Sequence, residues 1–180
     1  MNICVFCGSA TGKKPVFSET ALELGSLIGS NGHTLVYGGG NIGLMGILAD
    51  SVMANGGKVI GVIPDFLFNR EVGHTGVTEL IRVNSMHERK QKMASLADVF
   101  LAMAGGWGTL DELAEILTWK QLQIIDKPVG LLNTLGFFSP LLEMMKGMVD
   151  HGFLKDRNFR NLIYADTPKS LLTALGVEMH

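Results

Sequence analysis

Short, almost wholly apolar runs alternate with amphipathic stretches along this chain, and that alternation narrows the choice of fold more than any other feature. Ile3–Cys7, Leu35–Tyr37, Val59–Ile63, Val99–Met103 and Pro128–Leu132 are too short for buried helices and lack the alternation of a half-exposed strand. They read as strands buried on both faces. Between them, Phe17, Ala21, Leu24 and Ile28 recur at helical spacing before a stop at Gly32, and Leu44, Ile47, Leu48 and Val52 do so before Asn55-Gly56-Gly57. A looser segment from Asp65 to Thr78 leads to a short strand near Leu80–Val83. Ser85-x-x-Glu88, a capping box, opens a helix that reaches Ala97. Another helix follows Val99–Met103, and Phe138–Val149 forms a further one. The chain closes with a strand at Leu162–Tyr164 and a helix capped by Thr167, with Pro168 in its first turn.

This order predicts a parallel sheet covered by helices on both faces. The expected class is α/β: a single-domain, three-layer, doubly wound (Rossmann-like) parallel sheet spanning residues 1–180, with no repeat, low-complexity tract or linker. Ligands of such folds bind beyond the carboxyl ends of the strands. Ser9, Gly38–Gly43 and Gly105–Thr109 each follow a strand, so all can reach one rim.

Composition excludes several classes of function. With 47% hydrophobic and 18% charged residues over 180 positions, the chain can build one full core. A net charge of −2 argues against broad nucleic-acid binding, which needs a positive surface. No apolar run is long enough to span a bilayer, and no basic leader precedes an apolar segment, so a cytoplasmic protein without a membrane partner is expected. Cys4 and Cys7 spell C-x-x-C, but residues three apart on a strand face opposite ways. With no second pair, a metal site is not expected, and the two thiols read as reduced and buried.

The run Ala104-Gly105-Gly106-Trp107-Gly108-Thr109-Leu110-Asp111-Glu112 carries the chemistry. A glycine-rich turn between a buried strand and a helix start leaves backbone N–H groups pointing outward, and with the helix dipole they suit a phosphate. Thr109-x-x-Glu112 also fits a capping box, in which Thr109 caps the helix and Glu112 reaches back to it. Both readings stand at this level. Gly38-x-Gly40-x-x-Gly43 formally matches a dinucleotide fingerprint, but it follows the second strand, and no acidic residue ends the next one in the required place. Close backbone approach to a mononucleotide, through Gly39 and Gly40, is the better account. Arg89, Met93 and Leu96 share one helical stripe, so Arg89 is partly desolvated and needs a partner, either an anionic ligand or a structural carboxylate. His87 reads as a capping or surface residue, and the ten methionines as core filler.

Met86-His87-Glu88-Arg89-Lys90 followed by Gly105-Gly106-Trp107-Gly108-Thr109-Leu110-Asp111-Glu112 resembles the signature pair of the LOG (Lonely Guy) family. Cys7-Gly8-Ser9, Val36–Gly40, Gly43–Gly46, Gly61–Pro64 and Lys127–Gly130 resemble flanking family blocks. These proteins are cytokinin riboside 5′-monophosphate phosphoribohydrolases, long labelled lysine decarboxylase-like. The chain departs from the family pattern at Ala104, where proline is usual, and at Asp111, where glutamate is common. Alanine leaves the turn less rigid.

The resemblance implies hydrolysis of the N-glycosidic bond of a nucleoside 5′-monophosphate to free base and ribose 5-phosphate, without a cofactor, by a homodimer. It implies Glu112 and Arg89 as catalytic residues. It further implies substrate contacts from Ser9, Gly39, Gly40, Glu71, Met86, Lys90 and residues 105–112: Gly105, Gly106, Trp107, Gly108, Thr109, Leu110, Asp111 and Glu112. Glu71, in Arg70-Glu71-Val72, falls where the family has a substrate-contacting glutamate. Two other classes remain open at this level. A non-catalytic nucleotide-binding module would keep the glycine loops without needing Arg89 and Glu112 together. A pyridoxal-phosphate decarboxylase would need a buried Schiff-base lysine, and Lys90, the nearest candidate, lies off the buried stripe.

Overall fold

The fold follows the apolar runs closely. In a computed structural model, which describes residues 1–69 and 72–179, seven strands form one sheet in the order β4-β3-β2-β1-β5-β6-β7, every neighbouring pair parallel. The strands are β1 (Asn2–Phe6), β2 (Thr34–Tyr37), β3 (Lys58–Pro64), β4 (Glu79–Val83), β5 (Val99–Ala102), β6 (Val129–Leu132) and β7 (Ile163–Ala165). Between them come α1 (Val16–Ser30), α2 (Gly43–Ala54), the short α3 (Asp65–Phe68), α4 (Met86–Leu96), α5 (Trp107–Gln121), α6 (Ser139–Asp150), the short α7 (Asp156–Arg160) and α8 (Pro168–Ala174). The expected doubly wound α/β class is therefore the observed one.

Two apolar layers sandwich the sheet. Ile3, Val5 and Cys7 point into the layer covered by α1, α2 and α8, while Cys4 and Phe6 point into the layer covered by α4, α5 and α6. The two buried cysteines share no disulfide and lie on opposite faces, as a spacing of three on a strand requires. Burial, followed by the charge of Glu112, pushes the Cys4 thiol pKa well up, so it stays protonated and inert. In the second layer Phe6 stacks on Phe100 with ring centroids 6.0 Å apart.

Winding starts at β1, proceeds outward through β2, β3 and β4, then returns to pair β5 on the other side of β1. The crevice between β1 and β5 is the topological switch point, where the loops leaving two neighbouring strands diverge and a ligand can enter. Ser9 and the Gly105–Thr109 turn flank it.

α1 and α2 lie side by side on one face, and two glycines set their separation. A Cβ built at Gly25 would sit 2.5 Å from the Ser51 Cβ, and one at Gly29 would sit 2.5 Å from the Val52 carbonyl oxygen. Ser51 Oγ completes the seam by donating to the Leu22 carbonyl at 2.7 Å. The elements that periodicity missed, α3, α7 and a 3₁₀ turn at Thr134–Gly136, are too short to show a helical repeat. Gly29→Ala is expected to destabilise the fold by about 1–3 kcal/mol through overpacking. Gly147→Ala, in α6 with open space around its Cβ position, should gain up to about 1 kcal/mol of helix propensity. Paired denaturant titrations check both signs.

Candidate active site

The glycine turn after β5 differs from the capping-box reading in a way that bears on chemistry. Helix α5 begins at Trp107, three residues earlier than a Thr109 cap would require, and its cap is Gly106 at φ −101°, ψ −149°, with no side-chain bond. Thr109 is thus the third helical residue and does not cap, and Glu112 lies beyond the first turn, too far along to return to a cap N–H. Gly105 is the residue that permits this path. A Cβ there would fall on Thr109 Oγ1, so only glycine lets the strand end pass the hydroxyl. The first intrahelical bond runs from Leu110 N–H to the Gly106 carbonyl at 3.1 Å. Helix geometry therefore leaves the N–H groups of Gly106, Trp107, Gly108 and Thr109 available to an anion at the positive end of the α5 dipole.

A pocket of about 210 Å³ opens at the carboxyl ends of β1 and β2 beside this turn. Its lining brings together Ser9, Met86, Arg89, Gly106, Trp107, Gly108, Thr109 and Glu112 of the expected site. Val5, Cys7, Gly8, Gly38, Met45 and Leu67 also line it; the sequence reading placed Gly38 at this rim and Cys7, Gly8 and Met45 in motif blocks but named none of the six as a substrate contact. Burial of Thr109 and Glu112, at 5% and 8% exposure, in the first half of α5 is the measurable sign that neither is an ordinary surface helix residue.

Arg89 is the cationic wall. It is 4% exposed, more deeply buried than a partly desolvated stripe residue. Its Nε donates to the Val62 carbonyl at 3.1 Å and its Nη2 to the Gly38 carbonyl at 2.7 Å, while Nη1 lies 3.8 Å from Met86 Sδ. The carbonyls at the ends of two adjacent strands thus seat a permanent charge beneath the pocket.

This seat requires the glycine at position 38, and the neighbouring loop requires the one at position 43. A Cβ at Gly38 would collide with Arg89 Nη2, and one at Gly43 (φ +62°) would collide with the main chain at Ser9 and Ala10. Gly40 forms a bridge with Gly73, and Leu44 N–H donates to the Gly8 carbonyl at 3.1 Å. Gly39 and Gly40 lie outside the residues lining the pocket.

Four further expected contacts are placed beside the pocket rather than in its lining: Gly105, Lys90, Leu110 and Asp111. Gly105 backs the turn. Leu110 is partly exposed on the outer face of α5. Lys90, whose side chain is 10% exposed, is more buried than its place off the stripe suggested: Nζ bridges Asp111 Oδ2 at 3.1 Å and Glu115 Oε2 at 3.2 Å. Burial alone would lower its pKa, but the hydrogen bonds to Asp111 and Glu115 outweigh that and raise it, so the ammonium stays charged. Glu71 lies outside the described residues. His87 is exposed, as expected, and Ser85 Oγ accepts from Glu88 N–H at 3.2 Å. The Glu88 carboxylate returns to the Asn84 N–H at 2.8 Å, one residue before the cap.

Among the described residues no cluster of His, Cys, Asp or Glu could hold a metal ion. A larger hollow of about 250 Å³ between α5, α6 and α7 is lined mainly by side chains such as Leu117, Met145, Met148 and Leu162. Its lysine, Lys120, is bonded to the Lys127 carbonyl at 2.7 Å, so the hollow offers no reactive pair.

Known proteins share both the sequence and the architecture. A family profile described as "Possible lysine decarboxylase" matches residues 45–175. A cytokinin riboside 5′-monophosphate phosphoribohydrolase of Oryza sativa subsp. japonica is 49% identical over 97% of this chain and 72% of its own length. One from Arabidopsis thaliana is 46% identical over 97% of this chain and 80% of its own. The chain belongs to the LOG family. The fold is shared more widely. The molybdenum cofactor carrier protein of Chlamydomonas reinhardtii superposes with a TM-score of 0.73 at 24% identity, covering 97% of this chain and 94% of that one. A molybdenum cofactor binding protein of Rippkaea orientalis gives 0.72 at 23% identity over 97% and 94%. At that identity the likeness is one of fold.

Within a LOG-family fold, the contact between Gly38 and the guanidinium has a direct consequence. Gly38→Ala should displace Arg89 from its carbonyl seat, at a cost of about 1–3 kcal/mol for the intruding methyl. Gly32→Ala, at a surface turn with open space but φ +69°, is the backbone-strain control. Thermal melts of both variants, with turnover of nucleoside monophosphates measured alongside, should show loss of turnover in Gly38→Ala alone.

Proposed function

We propose that this LOG-family chain is a nucleoside 5′-monophosphate phosphoribohydrolase, cleaving cytokinin riboside 5′-monophosphates or AMP to free base and ribose 5-phosphate. The observation that carries the reading is the pairing, in one pocket, of a buried carboxylate released from capping with a buried guanidinium, beside an open helix N-terminus.

The chemistry follows from charge. The 5′-phosphate binds the N–H groups of residues 106–109 and the Thr109 hydroxyl. As the bond from C1′ to the base nitrogen breaks, positive oxocarbenium-like charge grows on the ribose, and the base leaves with the bonding electron pair. The Glu112 carboxylate stabilises that charge and holds the sugar hydroxyls or the attacking water. Water supplies the new C1′–O bond; one of its protons goes to the departing base and the other stays on the C1′ hydroxyl of ribose 5-phosphate. Arg89 orients the nucleotide and compensates its negative charge. Ser9, Met86 and Trp107 bound the sugar and base, and Glu71 assists at the sugar or base. Lys90 contributes as part of the charged frame around α5.

A lysine-based Schiff-base reaction fits poorly, because Lys90 is held charged between two carboxylates and a nucleophilic amine must be neutral. A non-catalytic nucleotide-binding module is the remaining alternative, and Glu112 separates it from the enzyme. We place the reaction in the cytoplasm and in one domain spanning residues 1–180. The described residues contain no helix long and apolar enough to cross a membrane. Homodimer formation, expected of the family, has a candidate surface: Trp107 (87% exposed), Leu110, Phe137, Pro140 and Leu141 line one apolar hollow of about 350 Å³, and α6 buries none of its residues fully. Trp107→Glu should shift sedimentation toward monomer, and an unchanged sedimentation coefficient would remove this face from the interface.

Glu112→Gln tests the catalytic assignment. The amide keeps the volume of the buried side chain and removes its charge, so the fold and phosphate affinity should persist. Turnover should fall roughly 100-fold or more, the scale of losing one preorganised electrostatic group. Near-normal turnover would leave a binding module. Monophosphates should be cleaved and the matching nucleosides should be poor substrates, and equal turnover of AMP and adenosine would remove the glycine turn from the mechanism.

A further inference from the structure

We propose that His74, through Asp50, is a positioning residue for Arg89: the pair pins the strip of backbone that supports the glycine turn on which the guanidinium rests. The inference rests on reading Arg89 as the group that orients the nucleotide.

His74 lies in the segment between α3 and β4, and it is 7% exposed. Its Nε2 lies 2.8 Å from Asp50 Oδ1 on the outer side of α2. The N–H of Gly76 donates to Nδ1 at 3.3 Å. With Nδ1 accepting from Gly76, the Nε2–H is the edge that donates to the carboxylate. The imidazole therefore links its own loop, on one ring edge, to helix α2 on the other.

The backbone of the same segment runs along the glycine turn. His74 N–H donates to the Gly39 carbonyl at 2.9 Å, Asn41 N–H donates to the Val72 carbonyl at 2.9 Å, and Gly40 pairs with Gly73 in an antiparallel bridge. On its other side the turn has no slack. Gly39 sits at φ +78°, and a Cβ there would meet Ile63 Cβ at 3.0 Å and Leu80 Cδ1 at 3.1 Å. One residue earlier, the Gly38 carbonyl holds Arg89 Nη2 at 2.7 Å. A continuous set of contacts thus runs from Asp50 through His74, Gly39 and Gly38 to Arg89.

The arrangement is poorly suited to a purely structural role. The Asp50 side chain is 64% exposed, and a carboxylate so open to water adds little to global stability. Its loss should be felt locally, where the turn would gain freedom to move away from the guanidinium. In a closely packed site, a shift of this kind alters the geometry offered to the ligand more than it alters the melting temperature.

The test is steady-state kinetics on a nucleoside monophosphate with the full-length protein carrying Asp50→Ala, His74→Ala and His74→Gln, each also in an Arg89→Lys background, with thermal melts alongside. Asp50→Ala and His74→Ala should each raise KM by about 3- to 10-fold, within the range seen for residues that act through a packed neighbour. His74→Gln should recover most of the loss, because its amide can donate to Asp50. In the Arg89→Lys background the same substitutions should add nothing further, as expected of positions acting through one group. Unchanged KM in both alanine variants, or an equal loss in both backgrounds, overturns the proposal. If His74→Ala fails to fold, the surface substitution Asp50→Ala decides the outcome by itself. Should Arg89→Lys leave KM unaltered, the role of Arg89 fails and that of the His74–Asp50 pair falls with it. A loss in Arg89→Lys with normal Asp50→Ala and His74→Ala enzymes overturns the positioning role of the His74–Asp50 pair alone.

Discussion

A buried guanidinium needs a polar seat, and much of the rim of this molecule is arranged to provide one. Arg89 cannot lose its charge, so at 4% exposure its donors must be met within the protein. Main-chain atoms at two parallel strands meet part of that need: the Gly38 carbonyl, just after β2, and the Val62 carbonyl of β3. Main-chain carbonyls take these two donors, so this side of the guanidinium is solvated by the sheet itself.

The glycines divide into two kinds by what they make room for. Gly38, Gly43 and Gly105 let one part of the protein approach another: a guanidinium, the loop after β1, and the Thr109 hydroxyl. Gly106 and Gly108 have open space where a side chain would be, and they lie where the α5 N–H groups face outward. Both kinds read alike as glycine-rich turns after strands. What distinguishes them is the neighbour across the gap, which is set by tertiary structure.

The same limit shows how far the sequence was legible. The strands and long helices were readable because a strand buried on both faces leaves an unmistakable apolar run, and because α1, α2 and α4 keep their periodicity. The short α3 and α7 complete too few turns to leave a pattern. The turn after β5 was legible as a phosphate-type loop, and the motif resemblance pointed to Arg89 and Glu112 together. Its local register was not legible. Thr109-x-x-Glu112 satisfies the capping pattern by composition, and only the start of α5 at Trp107 shows that the pattern is not used as a cap. Leu67 and Met45 left no signal, since an apolar residue facing a pocket and one facing a core are identical in sequence. His74 and Asp50 are separated by most of a β-α unit and paired by the fold.

The clamp between α4 and α5 adds a further constraint on the candidate site. Lys90 adjoins Arg89 on one helix, Asp111 adjoins Glu112 on the other, and Nζ of Lys90 reaches both Asp111 and Glu115. Neighbouring residues on a helix point about 100° apart, so the ion pairs form on one side of the helix–helix seam while Arg89 and Glu112 turn toward the pocket on the other. Holding the first set therefore fixes the second. The reach of an aspartate is one methylene shorter than that of a glutamate, and Glu115, one turn further along α5, supplies a second carboxylate for the same ammonium. With Lys90 only 10% exposed, these contacts are shielded from water more than ordinary surface pairs, and a wholly solvated pair would set the spacing of the two helices far less firmly.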